Sequence, residues 1–403
     1  MNKLVNWLDH HPLGMCGFRP FFLATAIYAV VLMLLWLGFL AGLISLPIQI
    51  QNPIVWHMHE WLFGLATATM IGFLLTAVHE FTGAPCVNYR PLWLLVAVWL
   101  GARVSFWWLD TFGLVTSMIL NGALFVLLIY HMLPPIWQRS RQQLSFIYVL
   151  LAFALLQQGF FVALMHGETG MNWLYAVIGV WMVLIVVALS RVSMQLFNVI
   201  LNEQPHLETV YLARPPRRNL AISIISLYTA ISFFYPQHPV AGWIALAASA
   251  AMLNLLNDWH VGRALWNRWL LMLYAVYWFV ALGYGVLGLG ILMELAWQPA
   301  GHHLLVVGAL SLAMLTVMMI AGRQHAGYNI SYAPWTLWVV GLIMLAVLTR
   351  FIASAIPSLF SQWWLLSSAL LWLFAFVLYG IYSWRSLTTS RPDLGRDCDE
   401  RIG

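Results

Sequence analysis

Histidine is the residue type in this chain best suited to chemistry near neutral pH. Thirteen histidines occur in 403 residues. Six of them stand in two similar settings. Trp56-His57-Met58-His59-Glu60 opens one apolar run and His79-Glu80 closes it, while His302-His303 opens another and His325 lies just past its end. His57 and His79 are 22 residues apart, as are His303 and His325. Along an α-helix that is roughly 33 Å, about the depth of a membrane. At about 100° per residue His57 and His79 return to within about 40° of each other, whereas His59 lies about 200° from His57 and faces elsewhere. Neutral imidazole is a common ligand for haem iron and for copper. Glu60, beside His59, is placed to orient such a ligand or to accept a proton. A lone interfacial histidine is more often a polar anchor, and His10, His11, His131, His166, His206, His238 and His260 are read that way; His206 and His260 lie outside the residues described below.

Three arginines, Arg103, Arg191 and Arg350, fall inside apolar runs, where a charge costs about 2.5–3.5 kcal/mol on insertion scales. Few acidic residues accompany them, so Arg103 and Arg350 suggest an anionic ligand such as the propionates of a haem, held by bidentate hydrogen bonds. Snorkelling to the interface is the alternative, chiefly for Arg191 and Arg350. No Cys-x-x-Cys-His sequence occurs, so any haem is expected to be bound without a covalent link. No Walker sequence or Gly-x-Gly-x-x-Gly at a strand–helix junction is present either.

The elements that must carry these residues follow from composition. The chain is 63% hydrophobic and 8% charged, against about 25% charged in soluble domains. This excludes a soluble α/β enzyme, a disordered chain and a secreted disulfide scaffold. The expected fold is all-α, a polytopic transmembrane helical bundle forming one domain over residues 1–403. Its spans are expected at approximately 20–43, 56–79, 92–109, 112–132, 146–165, 173–197, 220–236, 240–257, 269–293, 303–321, 335–356 and 363–384. Arginines recur in alternate connections, including Arg19, Arg90, Arg139, Arg141, Arg217, Arg268, Arg323 and Arg385. That pattern places both termini in the cytoplasm and calls for an even number of spans, about twelve. The same pattern argues against nucleic acid as the partner of the net charge of +5. In this topology His57, His59 and His303 gather toward the outer face, and His79 and His325 toward the inner one. Cys16, Cys86 and Cys398 all fall on the cytoplasmic side, where thiols stay reduced, so no structural disulfide is expected.

Several segments resemble the NnrS family over nearly the whole chain. Gly17-Phe18-Arg19-Pro20-Phe21-Phe22 is similar to that family's GFRPFF, and Trp56-His57-Met58-His59-Glu60 with Phe63-Gly64 to its WHxHExLFG. Gly72 to Ala77, Gly101-Ala102-Arg103, Ser190-Arg191-Val192, His303 with Gly308-Ala309, and His325-Ala326-Gly327 follow in the expected order. The chain departs from the pattern at Ile320, where an arginine is usual, and at Tyr274, where many members carry histidine. The resemblance implies a multi-pass protein of a bacterial cytoplasmic membrane that contains haem b and copper and lessens nitrosative stress by acting on or binding nitric oxide. His57, His59 and His303 would be iron or copper ligands, His79 and His325 a second metal site, and Glu60 the group with a catalytic or orienting role. Arg103 and Arg350, with Arg19 of the first motif, would be the cofactor-binding cations. Two rivals remain open on the residues alone. One is a transporter of a metal, haem or small anion with histidine sites at each face. The other is a haem-based sensor or assembly factor without turnover. The electron donor and oligomeric state are not legible.

Overall fold

The computed structural model describes residues 9–46, 52–202, 214–259, 262–330, 333–356, 361–393, 395 and 398. Among the described residues every regular element is helical, and twelve long helices follow one another. They are α1 (Phe18–Leu40), α2 (Pro53–Thr82), α3 (Tyr89–Trp107), α4 (Leu109–Arg139), α5 (Leu144–Met165), α6 (Met171–Asn202), α7 (Pro215–Phe234), α8 (Pro239–Leu256), α9 (Arg268–Leu292), α10 (Gln298–Gln324), α11 (Trp335–Ala355) and α12 (Ser361–Thr388). Each expected span falls on one of these helices. Ten of them are long and apolar enough to cross a membrane. The exceptions are α3 and α7, of 19 and 20 residues, which carry Arg90 and Arg103, and Arg217 and Arg218, respectively. The chain is a multi-pass membrane protein.

Local chemistry sets the helix boundaries. Asn52 caps α2 by accepting from the Ile54 amide at 2.9 Å, with Pro53 in the first turn, where its missing N–H costs nothing. Gly83, at φ 59°, ends the same helix. Gly113, at φ 77°, breaks α4 near its start, next to the residue at which the fourth span was expected to begin. The helix α10 closes in a Schellman arrangement. Here the Tyr328 amide donates to Arg323 O at 2.9 Å, the Gly327 amide donates to Gln324 O at 3.1 Å, and Gly327 takes φ 79°.

Two helices widen part-way. In α2 the α-helical segment Pro53–His59 gives way to a π-turn at Glu60–Leu65 before Ala66–Thr82 resumes. In α10 the segment Gln298–His303 gives way to a π-turn at Leu304–Leu310 before Ser311–Gln324. A π-turn absorbs an extra residue, so the regular α-helical phase expected to align His57 with His79 does not hold. Both widened turns begin at the residue after an expected ligand, His59 or His303.

The chain divides into two compact units. The first comprises Met1–Leu174, Val317–Thr336 and Leu373–Gly403, and the second Tyr175–Thr316 and Leu337–Trp372. In the first, Thr25 and Thr69 hydroxyls meet at 3.1 Å between α1 and α2. In the second, α8 and α9 approach closely: a Cβ on Gly288 would stand 2.8 Å from the Gly242 carbonyl oxygen, which cannot move aside. Small residues of this kind let membrane helices pack by their backbones.

The first unit also joins the two ends of the described chain. Arg19 Nη1 donates to the carbonyls of Ser386 and Leu387 at 3.3 and 3.2 Å, and to that of Thr389, so it caps the C-terminal turn of α12. Cys16 and Cys398 form a disulfide across 382 residues. This corrects the expectation of reduced thiols. That expectation rested on compartment alone, and a separation of this length hides the proximity that the packing of α1 and the tail creates.

Candidate functional site

Glu60 is completely buried, and both of its carboxylate oxygens accept hydrogen bonds. Its Oε1 accepts from His59 Nδ1 at 2.9 Å and from Arg103 Nη1 at 2.9 Å. Its Oε2 accepts from the Tyr28 hydroxyl and from Trp107 Nε1, the latter at 3.1 Å. Arg103 Nη2 in turn donates to Asn121 Oδ1, which also accepts from Gln157 Nε2 at 2.9 Å, while Asn121 Nδ2 donates to Ser117 O at 2.8 Å. Five helices of the first unit, α1 to α5, each place at least one member of this network. A carboxylate in an apolar interior needs a counter-charge and filled lone pairs, and here the chain supplies both. The π-turn makes the approach possible: a Cβ on Gly64 would lie 2.9 Å from the Tyr28 ring, 3.0 Å from Arg103 Nη1 and 3.1 Å from Glu60 Oε2. Trp99 Nε1 holds the turn by donating to Gly64 O at 3.0 Å.

His59 is also fully buried. Phe106 stacks on its ring at 3.7 Å and Phe160 at 5.1 Å, with Phe63 and Phe161 at 5.4 and 5.7 Å. The carboxylate of Glu60 fixes Nδ1, and the opposite nitrogen, Nε2, is buried without a hydrogen-bond partner. An unsatisfied buried polar atom costs about 1–3 kcal/mol, so its presence calls for an explanation.

The remaining expected residues are distributed differently. His57 lies against two indoles, Trp36 and Trp61, each at 4.2 Å between ring centres. His79 Nδ1 bonds Ala84 O. His325 Nδ1 bonds Cys398 O at 2.8 Å, and its Nε2 lies 3.7 Å from Glu80 Oε2, so the residues around His79 and His325 do share one neighbourhood. His303 is in the second unit, where its Nδ1 bonds Pro299 O at 2.7 Å. Arg350, also in the second unit, donates to Ser354 Oγ. The expectation that Arg103 needs an acid from outside the chain is corrected: Glu60 is that acid, although Arg103 Nε remains buried and unpartnered. Arg19, expected at a cofactor, serves the carbonyls of α12.

Sequence reasoning missed Tyr28, Trp107, Asn121 and Gln157. The amides at 121 and 157 were visible as polar residues in apolar helices, which are expensive there and therefore informative. Tyr28 and Trp107 gave no such signal, because tyrosine and tryptophan are ordinary at membrane interfaces.

Haem iron takes four nitrogens from the porphyrin and asks the protein for one or two axial ligands. The donor set around His59 fits that demand. Its ring is held through Nδ1 by a carboxylate, the arrangement typical of metal-bound histidine, and it has an uncommitted Nε2 and dry walls. Copper held by protein donors alone is a different case: among the described residues no three His, Cys, Asp or Glu side chains group as a metal site, so this donor set does not fit it.

The profile of a family described as NnrS protein matches residues 12–391. The chain belongs to the NnrS family. No curated protein matches it. In this NnrS chain the recognisable motifs fall where backbone or charge is unusual. The Trp-His-x-His-Glu segment straddles the junction between α-helix and π-turn. The Gly-Phe-Arg-Pro segment supplies the cap of α12, and His325-Ala326-Gly327 forms the left-handed end of α10.

Proposed function

We propose that this NnrS protein is a haem-binding membrane protein of the nitric oxide response. On this reading it resides in a bacterial cytoplasmic membrane, with about twelve spans and both termini in the cytoplasm. The observation that carries the haem reading is His59: a buried imidazole tied through Nδ1 to Glu60 and bare at Nε2. Bound there, haem supplies an iron that coordinates nitric oxide and exchanges electrons. The chain's own residues do the rest. Glu60 keeps the proton on Nδ1, which raises the ligand strength of Nε2. Arg103 balances the carboxylate, and its Nε offers one N–H to an acidic cofactor edge. Phe106 and Phe160 hold the ring plane and exclude water. Arg350 is a second candidate for the acidic edge, and His57, His79 and His325 are further candidate ligands. Copper belongs to this proposal only as the family resemblance implies it, and no role is derived for it.

The test is an optical spectrum of detergent-purified protein with metal analysis. A Soret band that shifts when nitric oxide is added to the reduced protein, and that His59→Ala abolishes, is the expected result. Folded wild-type protein that stays colourless after incubation with hemin would overturn the proposal. Consumption of nitric oxide with a reductant, compared between wild type and His59→Ala, then separates turnover from sensing.

A further inference from the structure

The aromatic rings around Glu60 are sorted by chemistry. Those packed on His59 are phenylalanines: Phe106, Phe160, Phe63 and Phe161. Those beside Tyr28, at the other carboxylate oxygen, are indoles. Tyr28 lies 6.1 Å from Trp107 between ring centres, Trp107 lies 6.1 Å from Trp108, and Trp108 is 49% exposed. A row of three rings therefore leads from the buried carboxylate to the surface just past the end of α3. Phenylalanine resists one-electron oxidation. Phenol and indole yield to it, because each can shed an O–H or N–H proton once the electron has gone.

The proton has a destination here. Glu60 Oε2 accepts from the Tyr28 hydroxyl and from Trp107 Nε1 at 3.1 Å, and Trp107 Nε1 also donates to the Tyr28 oxygen at 3.1 Å. A phenol that has lost an electron is a strong acid, and a base is already bonded to its proton. The neighbouring indoles lack such a base. Trp99, 5.3 Å from Tyr28, gives its N–H to the neutral Gly64 O. Trp56, 5.9 Å from Trp107, has a buried Nε1 without a hydrogen-bond partner. Oxidation that enters this row comes to rest at Tyr28, where the electron and the proton leave together.

We infer that Tyr28 is a redox-active side chain and a nitration site, oxidised through Trp108 and Trp107 by a radical of the nitrogen dioxide class, with Glu60 as its proton acceptor. The choice of oxidant rests on the nitric oxide reading above, since nitric oxide and oxygen yield nitrogen dioxide. The relay itself needs no bound metal. Trp108 gives an electron to one nitrogen dioxide, which leaves as nitrite. Trp107 refills Trp108, and Tyr28 refills Trp107 while its proton passes to Glu60 Oε2. A second nitrogen dioxide joins the tyrosyl radical at the ring carbon beside the oxygen. That carbon releases its hydrogen as a proton, Glu60 returns the phenolic proton, and 3-nitrotyrosine remains. The oxidising equivalent is kept from His59, whose walls are phenylalanine.

Mapping of nitration tests it. Full-length protein in detergent is exposed to nitrogen dioxide made by a peroxidase from nitrite and hydrogen peroxide, and its peptides are read by mass spectrometry. Nitration is expected chiefly at the half-buried Tyr28, ahead of Tyr130, Tyr148 and Tyr235, which are 70, 65 and 64% exposed. Trp107→Phe should lose most of it, and Trp107→Tyr, which restores an oxidisable ring of similar size, should recover it. Neither should change nitration at Tyr148. Flash oxidation with tris(bipyridine)ruthenium and persulfate gives a readout without nitrogen oxides: a tyrosyl radical by electron paramagnetic resonance that Tyr28→Phe removes. The same radical signal in wild type and Tyr28→Phe overturns the inference and leaves the haem reading standing. Nitration that follows exposure and spares Tyr28, or that persists at Tyr28 in Trp107→Phe, overturns it as well. Wild-type protein that takes up no haem yet loses its radical in Tyr28→Phe overturns the haem reading and supports the relay.

Discussion

Glu60 and Arg103 form a pair whose members cannot be exchanged independently. Both are buried, and they meet at 2.9 Å. Arg103→Met leaves a carboxylate in an apolar interior with only dipoles around it, and the expected loss is about 3–5 kcal/mol, read as a fall in thermal unfolding temperature in detergent. Combining Arg103→Met with Glu60→Gln should recover much of that loss, because the uncompensated charge is gone. Strict additivity of the two substitutions would show that the pair is not coupled. His59→Phe probes the neighbouring ring. It preserves the packing against Phe106 and Phe160 and removes the orphaned nitrogen, so stability is expected to hold or rise while any haem is lost.

At the scale of the element, the π-turns are the parts whose sequence requirements are sharpest. Gly64→Ala pushes a methyl to within 2.9 Å of Tyr28 and 3.1 Å of Glu60, and overpacking of this kind costs about 1–3 kcal/mol. Thr67→Val keeps the shape and deletes the donor to Leu62 O, for about 1 kcal/mol. Hydrogen–deuterium exchange should quicken in the peptide that covers the turn while the far end of α2 stays protected. Uniform change along the helix would mean that the hydroxyl does not hold the turn. The second sharp position is Gly327, at φ 79° and with a would-be Cβ 2.5 Å from Asp393 Oδ1. Gly327→Ala is expected to end α10 poorly and to displace the segment that carries Asp393, seen as faster proteolysis of the C-terminal tail.

At the scale of the chain, the first unit ties its beginning to its end. Cys16 bonds Cys398, and Arg19 caps α12. Thiol alkylation before reduction should therefore label Cys86 alone, with Cys16 and Cys398 becoming reactive only after a reductant; three reactive thiols at the outset would refute the pairing. A pH dependence belongs to the same region. The hydrogen bonds from Arg391 hold the Asp393 carboxyl at about 2, below the ordinary carboxylate value. Because the folded-state value is the depressed one, the contribution of this contact is complete above about pH 4 and disappears as pH falls toward 2. Release of the tail to protease over that window, but not between pH 5 and 8, is the expected outcome.

Much of this was written in the order of residues. Long apolar runs and scarce charge dictate membrane helices whatever their neighbours are, since a backbone in lipid must satisfy its own hydrogen bonds. The histidine-rich helix ends and the charge at 103 were equally plain, because polar groups in such runs are costly enough to mark themselves. The echo of His59–Gly64 in His303–Gly308 was present as spacing, but nothing in spacing announces a π-turn. Only tertiary packing decides that a helix widens, here against Tyr28, Arg103 and Trp99 in one unit and Phe279 and Trp372 in the other. The same holds for the acid that answers Arg103 and for the bond between residues 16 and 398. Partners distant in sequence are selected by shape and proximity in the folded chain, and composition and period carry no record of either.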